Sequence, residues 1–273
     1  MIIFSHANSF PARTYRAMFR SLRARGFTVR AIDKIGHNPA YPVTNNWPHL
    51  AKQLADFARA EIDKAGEPAW LVGHSLGGFL SLMVAARHPA LGGQAIQGVL
   101  LLDSPILGGW KAAALQMAKH GQFVGSVSPA KISRTRRTHW PSPEAALAFF
   151  QGKKAFARWE PGVLKDFITH GLQEDIGASG GQCALAFNRE IETAIYNTVP
   201  DNLERLLGRH PLQCPVAFIG GKESKELKQV GLALSEKISK GRVTMMEGSH
   251  LFPMEDPLGT AAAIEAALRA MPR

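Results

Sequence analysis

Cysteine is almost absent. Only Cys183 and Cys214 occur in 273 residues, too few for a disulfide framework, and neither stands in a Cys-x-x-Cys ligand pair. Long apolar runs are missing too: Ile96 to Leu102 stops at Asp103, far short of the roughly 20 residues a bilayer span needs, so no stable membrane insertion is expected. The opening Met-Ile-Ile-Phe-Ser-His carries neither a basic n-region nor a long apolar h-region, so no secretory signal is read there. A cytoplasmic location follows as the expectation, with both cysteines as free thiols. The chain lacks a phosphate-cradling Gly-x-x-x-x-Gly-Lys, a His-Glu-x-x-His and a dinucleotide fingerprint, and no cofactor or metal is expected. Low-complexity tracts and internal repeats are lacking as well, and the whole chain is expected to fold.

The formal charge is +10, a balance that favours anionic partners through long-range potential. Its distribution argues otherwise. Arg13, Arg16, Arg20, Arg23 and Arg25 are scattered along one helical stretch, and the densest cluster, Arg134, Arg136 and Arg137, is a few residues long. No basic run is interleaved with exposed aromatics, so nucleic-acid binding is not expected.

What the chain does have is alternation. The apolar runs Ile2 to Phe4, Thr28 to Ile32, Ala69 to Val72, Gly98 to Leu102 and Val216 to Ile219 are short and bounded by turn residues, as buried parallel strands are. Amphipathic stretches at Thr14 to Arg25 and Trp47 to Ala65 separate the early ones, and a sixth strand at Arg242 to Met246 precedes a closing helix at Thr260 to Ala270. The fold class is therefore α/β, a mostly parallel central sheet with flanking helices. Between Pro105 and Pro211 the alternation lapses into helical patterns alone, at Lys111 to Lys119, Pro143 to Phe150, Pro161 to Thr169 and Glu190 to Val199. The expected organisation is a core of residues 1–104 and 211–273 carrying a mainly helical cap insertion of residues 105–210.

The sharpest chemical signal is Gly73-His74-Ser75-Leu76-Gly77, a Gly-x-Ser-x-Gly lying directly between the strand Ala69 to Val72 and the helical run Phe79 to Arg87. A serine at a sharp strand-to-helix turn adopts strained backbone geometry with its Oγ exposed, and the flanking glycines avoid collision with neighbouring backbone. The N-terminal amides of the next helix converge there, so the Leu76 N–H is a candidate oxyanion donor. Ser75 is the candidate nucleophile.

On this elbow the chain resembles the α/β-hydrolase superfamily, and further segments match along nearly its whole length. Asp33-Lys34-Ile35-Gly36-His37-Asn38 resembles a turn common after an early strand, which bears on fold; His37, His74 and His6 are read as structural. Gly248-Ser249-His250-Leu251-Phe252-Pro253 resembles the late catalytic-histidine loop, so the resemblance implies His250 as general base. The second oxyanion amide of the family follows a His-Gly-x-Pro pattern; Asn8-Ser9-Phe10-Pro11 occupies the corresponding place and implies the Phe10 N–H. The other alignment, through His6-Ala7, points to Ala7 or Asn8.

The acid that orients the histidine is assigned to Glu223, in Ile219-Gly220-Gly221-Lys222-Glu223, which resembles the strand-Gly-x-x-Asp turn of the family with Glu in place of Asp. Asp103, at the end of Gly98 to Leu102, is the alternative acid, and Glu226 a third. The resemblance implies hydrolysis of an ester, thioester or similar acyl bond in a small-molecule acyl substrate. Trp110, Phe123, Trp140, Phe149, Phe150 and Trp159 are available for an apolar acyl pocket, and Arg134, Arg136 and Arg137 for an anionic substrate. The same residues could also serve carbon–carbon bond hydrolysis, peptidase action or cofactor-free peroxidation, and a non-catalytic ligand-binding protein on this fold is the reading from a different class.

Overall fold

The structure, a computed structural model, describes residues 1–120, 128–175 and 182–272. Its strands are β1 (Ile2–Ser5), β2 (Val29–Ala31), β3 (Ala69–His74), β4 (Ala90–Leu91), β5 (Gln94–Leu102), β6 (His139–Trp140), β7 (Leu172–Glu174), β8 (Cys183–Leu185), β9 (Val216–Gly221) and β10 (Val243–Met246). The main sheet runs in the order β10-β9-β5-β3-β1-β2 with every neighbour parallel, and the short β4 adds to β5 as an antiparallel hairpin. All residues of β1 and β9 are buried, which is why these segments read as unbroken apolar runs instead of alternating ones.

Side-chain alternation along the strands divides the interior in two. Ile3, Leu71, Val99, Leu101 and Phe218 face one side, under the helices Pro48–Ala65 and Leu76–Arg87. Ile2, Phe4, Val72, Leu100, Leu102 and Ile219 face the other, under Arg16–Ala24 and Pro257–Ala270. The helix Pro48–Ala65 begins with a proline in its first turn and ends at Gly66 in the left-handed region, the punctuation expected of a helix with its buried stripe at Leu50, Leu54, Ala58 and Ile62.

Residues 105–210 contribute the helices Gly109–His120, Ser128–Thr135, Pro143–Gln151, Pro161–Gly171, Arg189–Asn197 and Leu203–Arg209. They also hold a small antiparallel sheet, β6-β8-β7, where the sequence pattern shows helices alone. Strands of two or three residues are too short to display a period of two, so the pattern conceals them. Polar contacts tie this segment to the core and brace it internally. Asn8 Nδ2 donates to the Glu192 carbonyl at 3.1 Å, the Asn188 N–H donates to His37 Nε2 at 2.8 Å, and Arg136 pairs with the buried Glu192 carboxylate at 2.8 Å.

Cys183 and Cys214 are free thiols, both raised by burial, Cys214 to about 11. No helix among the described residues is long and apolar enough to cross a membrane.

Candidate active site

The turn from β3 into the helix Leu76–Arg87 places Ser75 at φ 52°, ψ −115°, a left-handed geometry that L residues adopt only under constraint. The constraint is visible in the flanking glycines. A Cβ on Gly73 would lie 2.2 Å from the Gly77 carbonyl carbon, and one on Gly77 would lie 1.9 Å from the Ser5 carbonyl oxygen. The Ser75 N–H is tied to the Leu102 carbonyl at 2.9 Å, and its carbonyl accepts from Ser104 Oγ at 2.9 Å. The Leu76 N–H, first in the helix, has no acceptor among the described residues.

β5 lies beside β3 with Leu102 in register with His74, so the residue after β5 emerges next to the elbow. That residue is Asp103, fully buried and itself at φ 41°. Its Oδ1 accepts the Gly221 N–H at 2.8 Å, and its Oδ2 accepts Ser224 Oγ at 2.5 Å and His250 Nδ1 at 2.6 Å. Burial alone would raise its pKa, but the His250, Ser224 and Gly221 hydrogen bonds outweigh this and hold the carboxylate below its ordinary range. For His250, burial works to lower the pKa; the Asp103 hydrogen bond and charge, with the charge of Glu226, reverse the sign and raise it. With Nδ1–H committed to Asp103, the neutral ring presents Nε2 as a lone-pair base, and that atom has no partner among the described residues.

This pairing corrects the acid assigned from sequence. Glu223 does follow β9, but its N–H bonds the Gly248 carbonyl and its half-exposed side chain turns to Arg158, Oε2 lying 2.6 Å from Nη1. The glutamate is thus spent on a surface ion pair, and the alternative, Asp103, holds the imidazole. The Phe10 amide, the second donor named from sequence, is engaged within its own loop: it donates to the Ala7 carbonyl at 3.2 Å across a tight turn with Ser9 at φ 76°, while the Phe10 ring lies 5.4 Å from that of Trp159 and 5.8 Å from that of Phe167. The Ala7 N–H is committed to Tyr15 Oη at 3.1 Å. Of the three amides considered, only that of Asn8 has no acceptor among the described residues.

A chain of hydrogen bonds, invisible to sequence reasoning, binds these loops together. The Ala7 N–H donates to Tyr15 Oη, whose hydroxyl donates to His74 Nδ1 at 2.8 Å, and His74 Nε2–H donates to the His250 carbonyl at 2.8 Å. The directions require a neutral His74, and burial, then the nearby His250, push its pKa down to about 3. His6 is likewise neutral: it accepts the Ile35 N–H on Nε2 at 2.9 Å and donates from Nδ1 to the Ala7 carbonyl, with burial lowering it to about 4. The only hint in the sequence was the position of these histidines at strand ends.

The aromatic residues read as pocket candidates pack chiefly on one another. Trp140, Phe150 and Trp159 are buried in the core facing Arg16–Ala24, and the Phe149 ring lies tilted against Trp140 with centroids 5.5 Å apart. Phe123 and the Trp110 side chain lie outside the described residues. Arg136 is paired with Glu192, and Arg137 lies over the Trp140 and Phe149 rings. A separate groove of about 550 Å³ lies near β2, lined by Arg13, Arg16, Arg23 and Arg30. Asp33, Asp166 and Glu61 pair with three of those arginines. Asp103, Glu226 and His250 could present three ligand atoms to a cation, but both Asp103 oxygens are already committed, and the cluster is one suited to holding a proton.

The chain belongs to the alpha/beta hydrolase family, whose model matches residues 2–263. Among solved structures it is similar to an E-2-(acetamidomethylene)succinate hydrolase, with a TM-score of 0.73 and 21% identity, covering 99% of this chain and 91% of that one. It is also similar to a thioesterase domain from the curacin biosynthetic pathway, with a TM-score of 0.65 and 18% identity over 97% and 90% of the two chains. Among curated proteins it is 28% identical over 104 residues to a protein of Mycobacterium phage D29 named for non-heme haloperoxidase activity. That match covers 38% of this chain and 35% of the relative, so the chain spans about a third of its length.

Proposed function

We propose that the protein is a serine hydrolase that cleaves an ester, thioester or similar acyl bond through an acyl-enzyme on Ser75. The observation that carries this reading is the His250 Nδ1 to Asp103 Oδ2 contact of 2.6 Å, on a loop held beside the strained Ser75 turn by His74. His250 Nε2 takes the Ser75 proton as Oγ attacks the acyl carbon, then returns it to the departing alcohol or thiol; water repeats the cycle on the acyl-enzyme. Asp103 fixes the tautomer and stabilises the imidazolium. The N–H groups of Leu76 and Asn8 are the two donors assigned to the oxyanion, Leu76 as drawn from sequence and Asn8, the alternative there, in place of Phe10. The substrate is a small acyl compound, no cofactor enters the reaction, and residues 105–210 act as a cap over the site.

The experiment is turnover of p-nitrophenyl esters of increasing acyl length, and of a thioester series, by the wild type and Ser75→Ala. Saturable turnover that Ser75→Ala abolishes is expected; turnover equal in the two proteins would refute the reading. The general base must be neutral, and its pKa is raised, so kcat/KM should climb with pH through a midpoint above the ordinary histidine value of about 6.5. An acidic limb lying below that value would contradict the Asp103–His250 assignment.

The name of the phage protein suggests a variation on the same scheme, in which hydrogen peroxide replaces water in the second step and a peracid is released. Peracid formation from acetate ester and peroxide, measured beside hydrolysis, decides between the two acceptors.

A further inference from the structure

His250 Nδ1 faces two carboxylates. Asp103 Oδ2 is 2.6 Å away, and Glu226 Oε2 is 3.9 Å away from the same nitrogen. Glu226 sits in the first turn of the helix Lys225–Val230, whose N-cap, Ser224, joins the two acids. Ser224 Oγ donates to Asp103 Oδ2 at 2.5 Å, lies 3.4 Å from Glu226 Oε2, and accepts the Leu227 N–H at 3.0 Å. One hydroxyl has one proton, and the shorter distance gives it to Asp103. Glu226 is left facing the imidazole with its charge uncompensated by that hydroxyl.

We propose that Glu226 is a positioning residue, a second carboxylate set against His250 Nδ1 that stabilises the imidazolium formed each time Ser75 gives up its proton. The proposal rests on the hydrolase reading of Ser75 and His250. No covalent step involves Glu226. When the Ser75 proton moves to Nε2, the ring becomes cationic; Asp103 keeps the Nδ1–H hydrogen bond, and Glu226 adds a second negative charge 3.9 Å from the same nitrogen. Its side chain is half exposed, so water screens this attraction and makes it smaller than that of the fully buried Asp103.

The other groups around the ring do not supply this charge. His74, whose ring centroid is 5.1 Å from that of His250, is held neutral by burial. Tyr196, on the helix Arg189–Asn197, is kept un-ionised by burial, then by the charges of Glu192 and Glu226. Glu192 is paired with Arg136, and on the His250 loop Glu255 is engaged by the Ser249 N–H and hydroxyl and by Arg158. Glu223, the acid one would choose from the turn after β9, is paired with Arg158. The turn thus supplies a carboxylate to the histidine three residues later than its sequence suggests, and as a second acid instead of the first.

The test is the conservative variant Glu226→Gln, with the His250 ring titrated by NMR in the folded full-length protein alongside the pH profile of kcat/KM. Removing the negative charge withdraws support from the imidazolium, so the His250 pKa should fall, and the acidic limb should move to lower pH by about 0.5 to 1 unit. The plateau of kcat/KM should drop roughly 3- to 10-fold, and the same substitution should cost several times more in an Asp103→Asn background, where Glu226 is the remaining acid. A merely structural role would lower the plateau and leave both titrations in place. An unchanged His250 titration with equal costs in the two backgrounds overturns the proposal. Failure of the hydrolase reading is a different result: wild-type protein that does not react with a serine-directed phosphonate would sink that reading, while the NMR titration would still report the charge of Glu226.

Discussion

Asp103→Asn is expected to lower kcat/KM by about two to three orders of magnitude, while Glu223→Gln leaves it within about threefold of wild type. The asymmetry follows from where the two acids spend their oxygens. Asp103 is fully buried and holds His250 Nδ1 at 2.6 Å, so an amide there offers the ring a donor where it needs an acceptor and turns it toward the wrong tautomer. Glu223 is half exposed and pairs with Arg158, an exposed contact of the kind that contributes little to stability. On the proposed mechanism the Asp103 loss stops short of total inactivation, because Ser75, the amides assigned to the oxyanion and Glu226 remain. Steady-state kinetics on the two variants checks this, and equal losses in both would return the orienting role to the turn after β9.

Gly77→Ala should be among the most damaging single-methyl additions in the chain. The new Cβ would stand 1.9 Å from the Ser5 carbonyl oxygen and 2.9 Å from that of His6, backbone atoms of β1, which is paired on both sides, and of its exit loop. Neither can move without dragging the parallel register of β1 with β3, so the helix Leu76–Arg87 must shift and carry the Ser75 turn with it. A cost of about 3 kcal/mol or more is expected, roughly a 10 °C drop in Tm for a chain of this size, with activity lost beyond what the remaining folded fraction explains. Gly208→Ala provides the control. Its added methyl meets nothing within 4 Å, and it lies in the helix Leu203–Arg209, so thermal unfolding should show it neutral or up to about 1 kcal/mol more stable.

The parts of the site that were legible in sequence are those whose geometry demands a particular residue. Gly73 and Gly77 are forced because a Cβ at either would fall within 2.5 Å of neighbouring backbone, so the elbow leaves an unmistakable mark around Ser75. The long buried strands and the helix Pro48–Ala65 carry equally direct signals in apolar runs and end residues. The orienting acid leaves no such mark. Asp103 and Glu223 both follow a buried strand, and only the sheet order, which sets β5 between β3 and β9, decides which carboxylate lies beside the elbow. The turn after β1 was hidden for a related reason: Ser9 takes a positive φ without being glycine, and the resulting turn closes the Phe10 amide on Ala7. The Ala7–Tyr15–His74–His250 chain joins three segments far apart in sequence through the side chains of Tyr15 and His74, residues that each have an ordinary structural use elsewhere.

The central claim, an activated serine at the β3 turn served by His250, is tested most directly by covalent labelling with a fluorophosphonate probe in the wild type, Ser75→Ala and His250→Ala. The account predicts rapid labelling of the wild type, none of Ser75→Ala, and a rate for His250→Ala lower by several orders of magnitude, with the adduct mapped to Ser75 by mass spectrometry. Labelling that persists in Ser75→Ala, or a wild type that stays unlabelled while folded, would contradict it.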